Sequence, residues 1–413
     1  MKNYLSLLHL NDHKKYVQAI LLALALVLDA FDCLRFRSLH LSLGHLILLF
    51  FMARFLIDTQ KDKQIKITQR YARNQLALFW GLFWILYVVG FVHSAVNGIE
   101  TPQIAAYDFK SYMFNTALSL LIASSFDEFE IDRFFALLIS FSIFILASLL
   151  LIAYLTDSFF GYKFWYATTR FSPLSTSPNL IALLIVVVPF LIIDRLAREN
   201  FKTNKITIFY LITLFIAICI GIKTLSDALF YAWLLVSLSK LFFHFGKKLG
   251  SVRNKNGFLF FVLILSLCAF YFATEYNLPE FSVNNFISVK LQALKLDVPQ
   301  RIVLLKNAIE PIKNSILFGH GPGSFSGITG SYQGYDSHNS FVEWTISTGL
   351  PGLALLIIFY QSIWVHLQKN RPYIFGAFCA LSLFSLAHNV FSYSIFWVLM
   401  TCFFVLSKSH SQD

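Results

Sequence analysis

Residues 319–352 read GHGPGSFSGITGSYQGYDSHNSFVEWTISTGLPG, the one long polar, glycine-rich passage in an otherwise apolar chain. Its far half carries His338 and Asn339. Ser340 and Glu343 follow at the spacing of a capping box, which predicts a helix from Ser340. His338 then stands just outside a helix N-terminus, where the partial positive charge disfavours a second one and leaves the imidazole able to accept a proton. That is the requirement for a general base. Gly349 is expected to end this short helix and Pro351 to open the next. Gly319, Gly321 and Gly323 would let backbone amides approach a phosphate or a sugar, or simply form a flexible turn; the Lys-Ser/Thr of a P-loop does not follow them. Arg301 can fork two donors onto a phosphate, or anchor the chain at a membrane interface. Arg170 and Lys223 are further cations of either kind, and His320 and His388 are read as bystanders.

The elements that must position these groups are apolar. The chain has 413 residues, 57% hydrophobic and only 13% charged, too much apolar surface for a soluble domain of that size to hide. Its net charge of +11 is concentrated in short loops, where it sets orientation in a membrane and gives no nucleic-acid signal. Cys33, Cys219, Cys268, Cys379 and Cys402 are scattered singly, with neither metal spacing nor a disulfide framework. No small-residue cleavage site precedes the first apolar run, so that run is expected to be retained as a span.

Twelve apolar runs can be placed, at 16–30, 39–57, 75–95, 106–124, 134–154, 179–193, 206–222, 227–243, 257–274, 351–367, 372–387 and 390–405. The expected fold is all-α: a polytopic membrane protein of about twelve transmembrane helices with a large periplasmic loop containing short helices. Nine spans would occupy residues 1–274, a periplasmic catalytic loop 275–350, and three further spans 351–413. With both termini cytoplasmic, most of the Lys and Arg fall inside, among them Lys14, Lys15, Arg70, Arg73, Arg195, Arg198, Lys247, Lys248 and Arg371. The acidic stretch 126–133 dissents, but Asp and Glu carry little weight in that rule. Asp29, Asp32, Arg35 and Arg37, on the outer side, read as local pairs or interfacial anchors. Residues 275–337 then form one outer loop of roughly sixty residues, longer than a structureless connector should be. Within it PQRIVLLKNAIEPIK (299–313) spaces Ile302, Leu305, Ile309 and Ile312 as an amphipathic helix would, lying on the membrane or on the spans.

Arg301, then GHGPGSF (319–325), then HNSFVEWTISTGLPG (338–352), in one long outer loop after nine spans, resembles the O-antigen ligase and O-antigen polymerase family. RFSPLSTSPNL (170–180) is a weaker echo of the family segment in which an arginine precedes a Pro-Asn at the start of a span. The resemblance implies a membrane glycosyltransferase of the bacterial inner membrane, active on the periplasmic face. Its donor would be an undecaprenyl-diphosphate-linked glycan, its acceptor lipid A core, and its other partner membrane lipid. It further implies His338 as the catalytic residue, with Arg301, Arg170, Lys223 and Asn339 binding substrate and no metal or other cofactor. One position departs from the pattern. Ligases usually carry an arginine at the outer end of the eighth span, whereas here Asp227 follows Ser226. A carboxylate cannot hold a diphosphate, so that role is vacant or moves to Lys223 or Arg170; Lys223 and Asp227, four apart, can also pair with each other.

Glycosyl transfer from a lipid diphosphate needs a base for the acceptor hydroxyl and cations for the leaving group, which His338 and Arg301 could supply. O-antigen ligase is the first reading and a polymerase extending the glycan on its own carrier the second. A polysaccharide or solute transporter is the alternative of another class. Transporters should show internal symmetry and charged or broken helices at the midplane, whereas the polar chemistry here gathers outside one face.

Overall fold

Long apolar runs become helices because in lipid a backbone must satisfy its own hydrogen bonds. The computed structural model describes residues 2–33, 35–36, 41–59, 67–99, 105–156, 158–159, 162–166, 169–175, 177–199, 205–247, 303–323 and 337–409. Its helices are α1 (Lys2–Asp29), α2 (Leu43–Thr59), α3 (Ile67–Val96), α4 (Ala105–Ser125) and α5 (Glu128–Leu155). They continue with α6 (Pro178–Ile185), α7 (Val188–Arg198), α8 (Lys205–Lys223), α9 (Asp227–Lys247) and α10 (303–314). The last three are α11 (Ser340–Asn370), α12 (Pro372–Ala387) and α13 (Ser394–Ser409). Every predicted apolar run falls on a helix except 257–274, which lies outside the described residues. Among the described residues five helical segments are long and apolar enough to cross a membrane: Gln69–Val96, Glu128–Leu155, Pro178–Arg198, Lys205–Lys223 and Ser340–Asn370. The chain is an all-α membrane protein in its described part. It departs from pure helix only in three two-stranded ribbons, of which the third pairs Trp165–Tyr166 with Arg170–Phe171.

Two elements form the centre. Nearly every residue of α13 is buried, as is nearly every residue of the α6–α7 segment, the burial expected of helices apolar all round. The sequence reads 179–193 as one run, but Val186 and Val187 break it, because Pro189 in the first turn of α7 has no N–H to continue the ladder. By contrast α3 is two-faced. Phe79, Trp80, Phe83 and Tyr87 point inward, while Leu78, Leu82, Ile85, Val88 and Val92 stay exposed as a lipid-facing stripe. The inward aromatics grip α11, with Trp344 stacked on Phe83 at 4.5 Å and Phe359 stacked on Phe79 at 4.5 Å.

An ion cluster ties several helices together at one end of the bundle. Arg371, at the α11–α12 junction, bonds Glu128 at 2.6 Å and Asp132 at 2.8 Å, and reaches Asp194 at 3.5 Å. Arg198 bonds Asp132 and Asp194, Arg195 donates to the Asp132 carbonyl, and Lys15 bonds Glu130. The acidic stretch 126–133 that dissented from the charge pattern therefore meets its cations at the same end. Those carboxylates are counter-ions to the basic loops beside them.

Candidate functional site

At the opposite end of α11 the chain approaches through Ser337, His338 and Asn339. The helix does begin at Ser340, but the cap is one residue earlier than the capping box predicts. Asn339 is the N-cap, and its side-chain oxygen accepts from the amides of Phe341 at 3.0 Å and Val342 at 3.1 Å. Glu343 bonds further back, accepting from the Ser337 amide at 2.5 Å. Between these two fixed points His338 takes φ 51°, the left-handed region that residues with a Cβ seldom occupy. The other two non-glycine residues with positive φ among the described residues are Leu174 and Leu225. Both lie in the segments that approach this end, and strained backbone concentrated in this way is a feature of functional sites.

His338 opens onto a cavity of about 110 Å³. The wall opposite it is built from Ser177 and Asn179 at the start of α6 and from His388, Asn389 and Tyr393 in the turn between α12 and α13, with Leu180 and Leu183 as its apolar lining. Ser340 joins the two halves: wholly buried, its hydroxyl donates to the His388 carbonyl at 2.8 Å and accepts from the Val390 amide at 2.8 Å. His388, a bystander by sequence, thus stands in the same cavity as His338. A sequence signal for this exists in the repeat of His-Asn-x-Phe at 338–341 and 388–391.

Of the predicted cations, Arg170 reaches the wall of this cavity. Arg170, on the ribbon strand Arg170–Phe171, donates through Nε to the Thr224 carbonyl at 3.0 Å and through a terminal nitrogen to the Asn179 side-chain oxygen at 3.2 Å. It therefore links the α8–α9 turn to the cavity wall. Lys223, the last residue of α8, lies with Nζ 5.9 Å from the centre of the Tyr154 ring. Asp227 opens α9 with an exposed side chain. Arg301 lies outside the described residues. Asp29, the last residue of α1, is met by Ser42 and His45. Among the described residues no three His, Cys, Asp or Glu side chains gather as metal ligands would.

The glycine-rich turn is a packing joint. The amide of His320 bonds the Ile346 carbonyl at 2.8 Å, that of Gly321 the Ser347 carbonyl at 2.9 Å, and that of Leu350 the Ile316 carbonyl at 2.8 Å. These amides are spent on the break in α11, where Gly349 takes φ 70° as the sequence predicts; Trp344 spans the break by donating to the Gly352 carbonyl. A Cβ on Gly321 would stand 2.6 Å from the Phe91 amide nitrogen, and the residue itself has φ +72°. Contact and dihedral both demand glycine. Gly321→Ala is therefore expected to lower stability by about 2 kcal/mol or more, read as the unfolding midpoint in detergent; an unchanged midpoint would refute the joint. His320 serves it too. Its Nε2 faces the Pro311 carbonyl at 2.8 Å, which can only accept, so Nε2 carries the proton and Nδ1 faces Ser94. Burial lowers its pKa from the ordinary histidine value, and the bond to Pro311 opposes that shift. In α10 the buried stripe is Leu304 and Ala308, whereas Leu305 and Ile309 are exposed. The expected helix is present, with the Leu304 and Ala308 stripe packed on the bundle and the predicted apolar face of Leu305 and Ile309 outward; Ile302 lies outside the described residues.

No curated protein matches the chain. Residues 212–357 match the family model described as O-Antigen ligase, a span that runs from within α8 to within α11 and includes Lys223, the glycine joint, His338 and the Gly349 break. Ser177, Asn179, His388 and Asn389, which complete the cavity, lie outside it. Over residues 212–357, about a third of its length, the chain is thus similar to the O-antigen ligase family.

Proposed function

We propose that this protein is an O-antigen ligase of the bacterial inner membrane, transferring a glycan from undecaprenyl diphosphate to lipid A core on the periplasmic face. Members of that family are glycosyltransferase-like enzymes, ligases and polymerases. The observation that supports this reading most is His338, held in a left-handed conformation at the mouth of a polar cavity inside the family segment. In the proposed reaction His338 takes the proton of the acceptor hydroxyl as its oxygen bonds the anomeric carbon. The bond from that carbon to the diphosphate oxygen breaks, and the diphosphate leaves with the electron pair. Arg301 is proposed to hold that leaving group without a metal or other cofactor, with Arg170, Lys223 and Asn339 assisting. The end of the bundle that holds Arg195, Arg198 and Arg371 is proposed to face the cytoplasm, because the inside rule counts Lys and Arg and gives Asp and Glu little weight, and both termini are proposed to lie on that side.

The test is lipopolysaccharide from a ligase-deficient strain carrying the wild type or His338→Ala, separated as a glycan ladder. Long glycan restored on lipid A core by the wild type alone is the expected result. One observation favours a polymerase instead: Asp227, at the position where the resembling ligases have arginine, opens α9 with an exposed carboxylate. Carrier-linked glycan that lengthens in a polymerase-deficient strain, with no transfer to lipid A core, would replace the ligase reading. Arg301→Lys keeps the charge but not the fork, and is expected to cost about tenfold or more in transfer; full activity would reduce Arg301 to an anchor.

A further inference from the structure

Two His-Asn-x-Phe turns, His338–Phe341 and His388–Phe391, meet in this fold. Their phenylalanines pack edge to face at 5.7 Å, and the single hydroxyl of Ser340 bonds both ends of the second turn. The second turn is braced from behind as well: Trp397 donates to the Phe391 carbonyl at 2.6 Å and Asn115 to the Ser392 carbonyl at 3.3 Å. Such bracing fixes where His388, Asn389 and Tyr393 stand relative to His338.

The chemistry of the lining selects a ligand. Among the described residues the cavity is walled by two imidazoles, two carboxamides, an aliphatic hydroxyl and a phenol beside Leu180, Leu183 and Val390, and none of these described lining residues is Lys, Arg, Asp or Glu. A diphosphate would demand cations there. Arg170 bonds this wall from Asn179 and occupies that residue's side-chain oxygen, which leaves the amide's donor end for other partners. Neutral donors and acceptors beside an aromatic ring suit sugar hydroxyls. We propose that His388, Asn389 and Tyr393, with Ser177 and Asn179, seat the sugar of the acceptor and present its hydroxyl to His338. This rests on the glycosyl-transfer reading, and it assigns to the α12–α13 turn, outside the family segment, the choice of acceptor.

The experiment is protection of His338 against a histidine-selective acylating reagent, read by mass spectrometry on the full-length protein in detergent. The probes are three: core oligosaccharide released from rough lipopolysaccharide, the free saccharide repeat of the O-glycan, and inorganic pyrophosphate. One of the saccharides is expected to protect His338 in the wild type. Asn389→Ala and Tyr393→Phe are each expected to raise the half-protecting concentration about tenfold, the loss of one good hydrogen bond. His388→Gln, which keeps one hydrogen-bonding end, is expected to lose less than His388→Ala. Where transfer is measurable, the same variants raise KM for the acceptor and leave KM for the donor within about twofold.

Protection by neither saccharide would overturn the proposal, as would saccharide protection that the variants leave unchanged, or pyrophosphate protection that they weaken. Protection that depends on Asn389 in a protein with no transferase activity in the ladder assay would keep the seat and sink the transferase reading. The two failures are thus distinguishable. Which saccharide protects also separates an acceptor of the core type from one of the carrier-linked glycan type.

Discussion

His338→Ala and His338→Asn are both expected to lower the rate of glycan transfer by about 10²- to 10⁴-fold, the range lost with a positioned general base. The pair matters because His338 combines a chemical group with a left-handed backbone at φ 51°. Asparagine tolerates that conformation better than alanine, so it separates the two contributions. If the imidazole does the chemistry, the asparagine variant keeps wild-type unfolding in detergent and is still as inactive as the alanine variant. The measurement is the initial rate of transfer to lipid A core in membranes matched for protein amount. An asparagine variant that retained more than a tenth of the wild-type rate would remove His338 from the base role. Its left-handed turn would then serve only to lead the chain into α11.

The second large effect is on stability and comes from the other end of the same helix. Arg371→Met removes the guanidinium that bonds Glu128 at 2.6 Å and Asp132 at 2.8 Å and faces Asp194. Arg371 is only 9% exposed and the side chains of Asp132 and Asp194 are 16% and 9% exposed, so these two carboxylates cannot simply exchange it for water, whereas Glu128, at 34%, can turn to solvent. The expected loss is about 3 kcal/mol, the low end for a broken buried pair, because Arg198 still bonds Asp132 and Asp194. Unfolding midpoints of detergent-solubilised protein would show it, and Asp132→Asn combined with Arg371→Met should recover part of the loss by removing one of the stranded charges. A change below about 0.5 kcal/mol would place the cluster among solvent-screened surface pairs. Transfer activity per folded molecule should survive, since the cluster and His338 lie at opposite ends of α11.

The α-helical, membrane-embedded character of the chain was legible in its apolar runs, because the requirement for internal backbone hydrogen bonds in lipid leaves few alternatives. The helix start at Ser340 and the break at Gly349 were legible for an equally local reason: caps and glycine φ values are decided within a few residues. Locality also explains the errors. Ser340 and Glu343 have the spacing of a capping box, yet Asn339 takes the cap while Ser340 is drawn off by His388 and Val390, fifty residues away. The sequence likewise left Gly319, Gly321 and Gly323 open between a flexible turn and a cradle for a phosphate or sugar, and in the fold the amides of His320 and Gly321 close onto the break in α11.

By itself, then, the sequence determined the membrane class, the family resemblance around His338 and the helix start that leaves that histidine just outside α11, since each depends on composition or on neighbours along the chain. Only the tertiary structure decided what faces His338. Ser177, Asn179, His388 and Asn389 reach it from α6 and from the α12–α13 turn, and Arg170 reaches Asn179 from a ribbon. Those contacts arise from packing helices around the buried α6–α7 and α13, and a period read along one strand of sequence carries no information about which two turns will share a cavity.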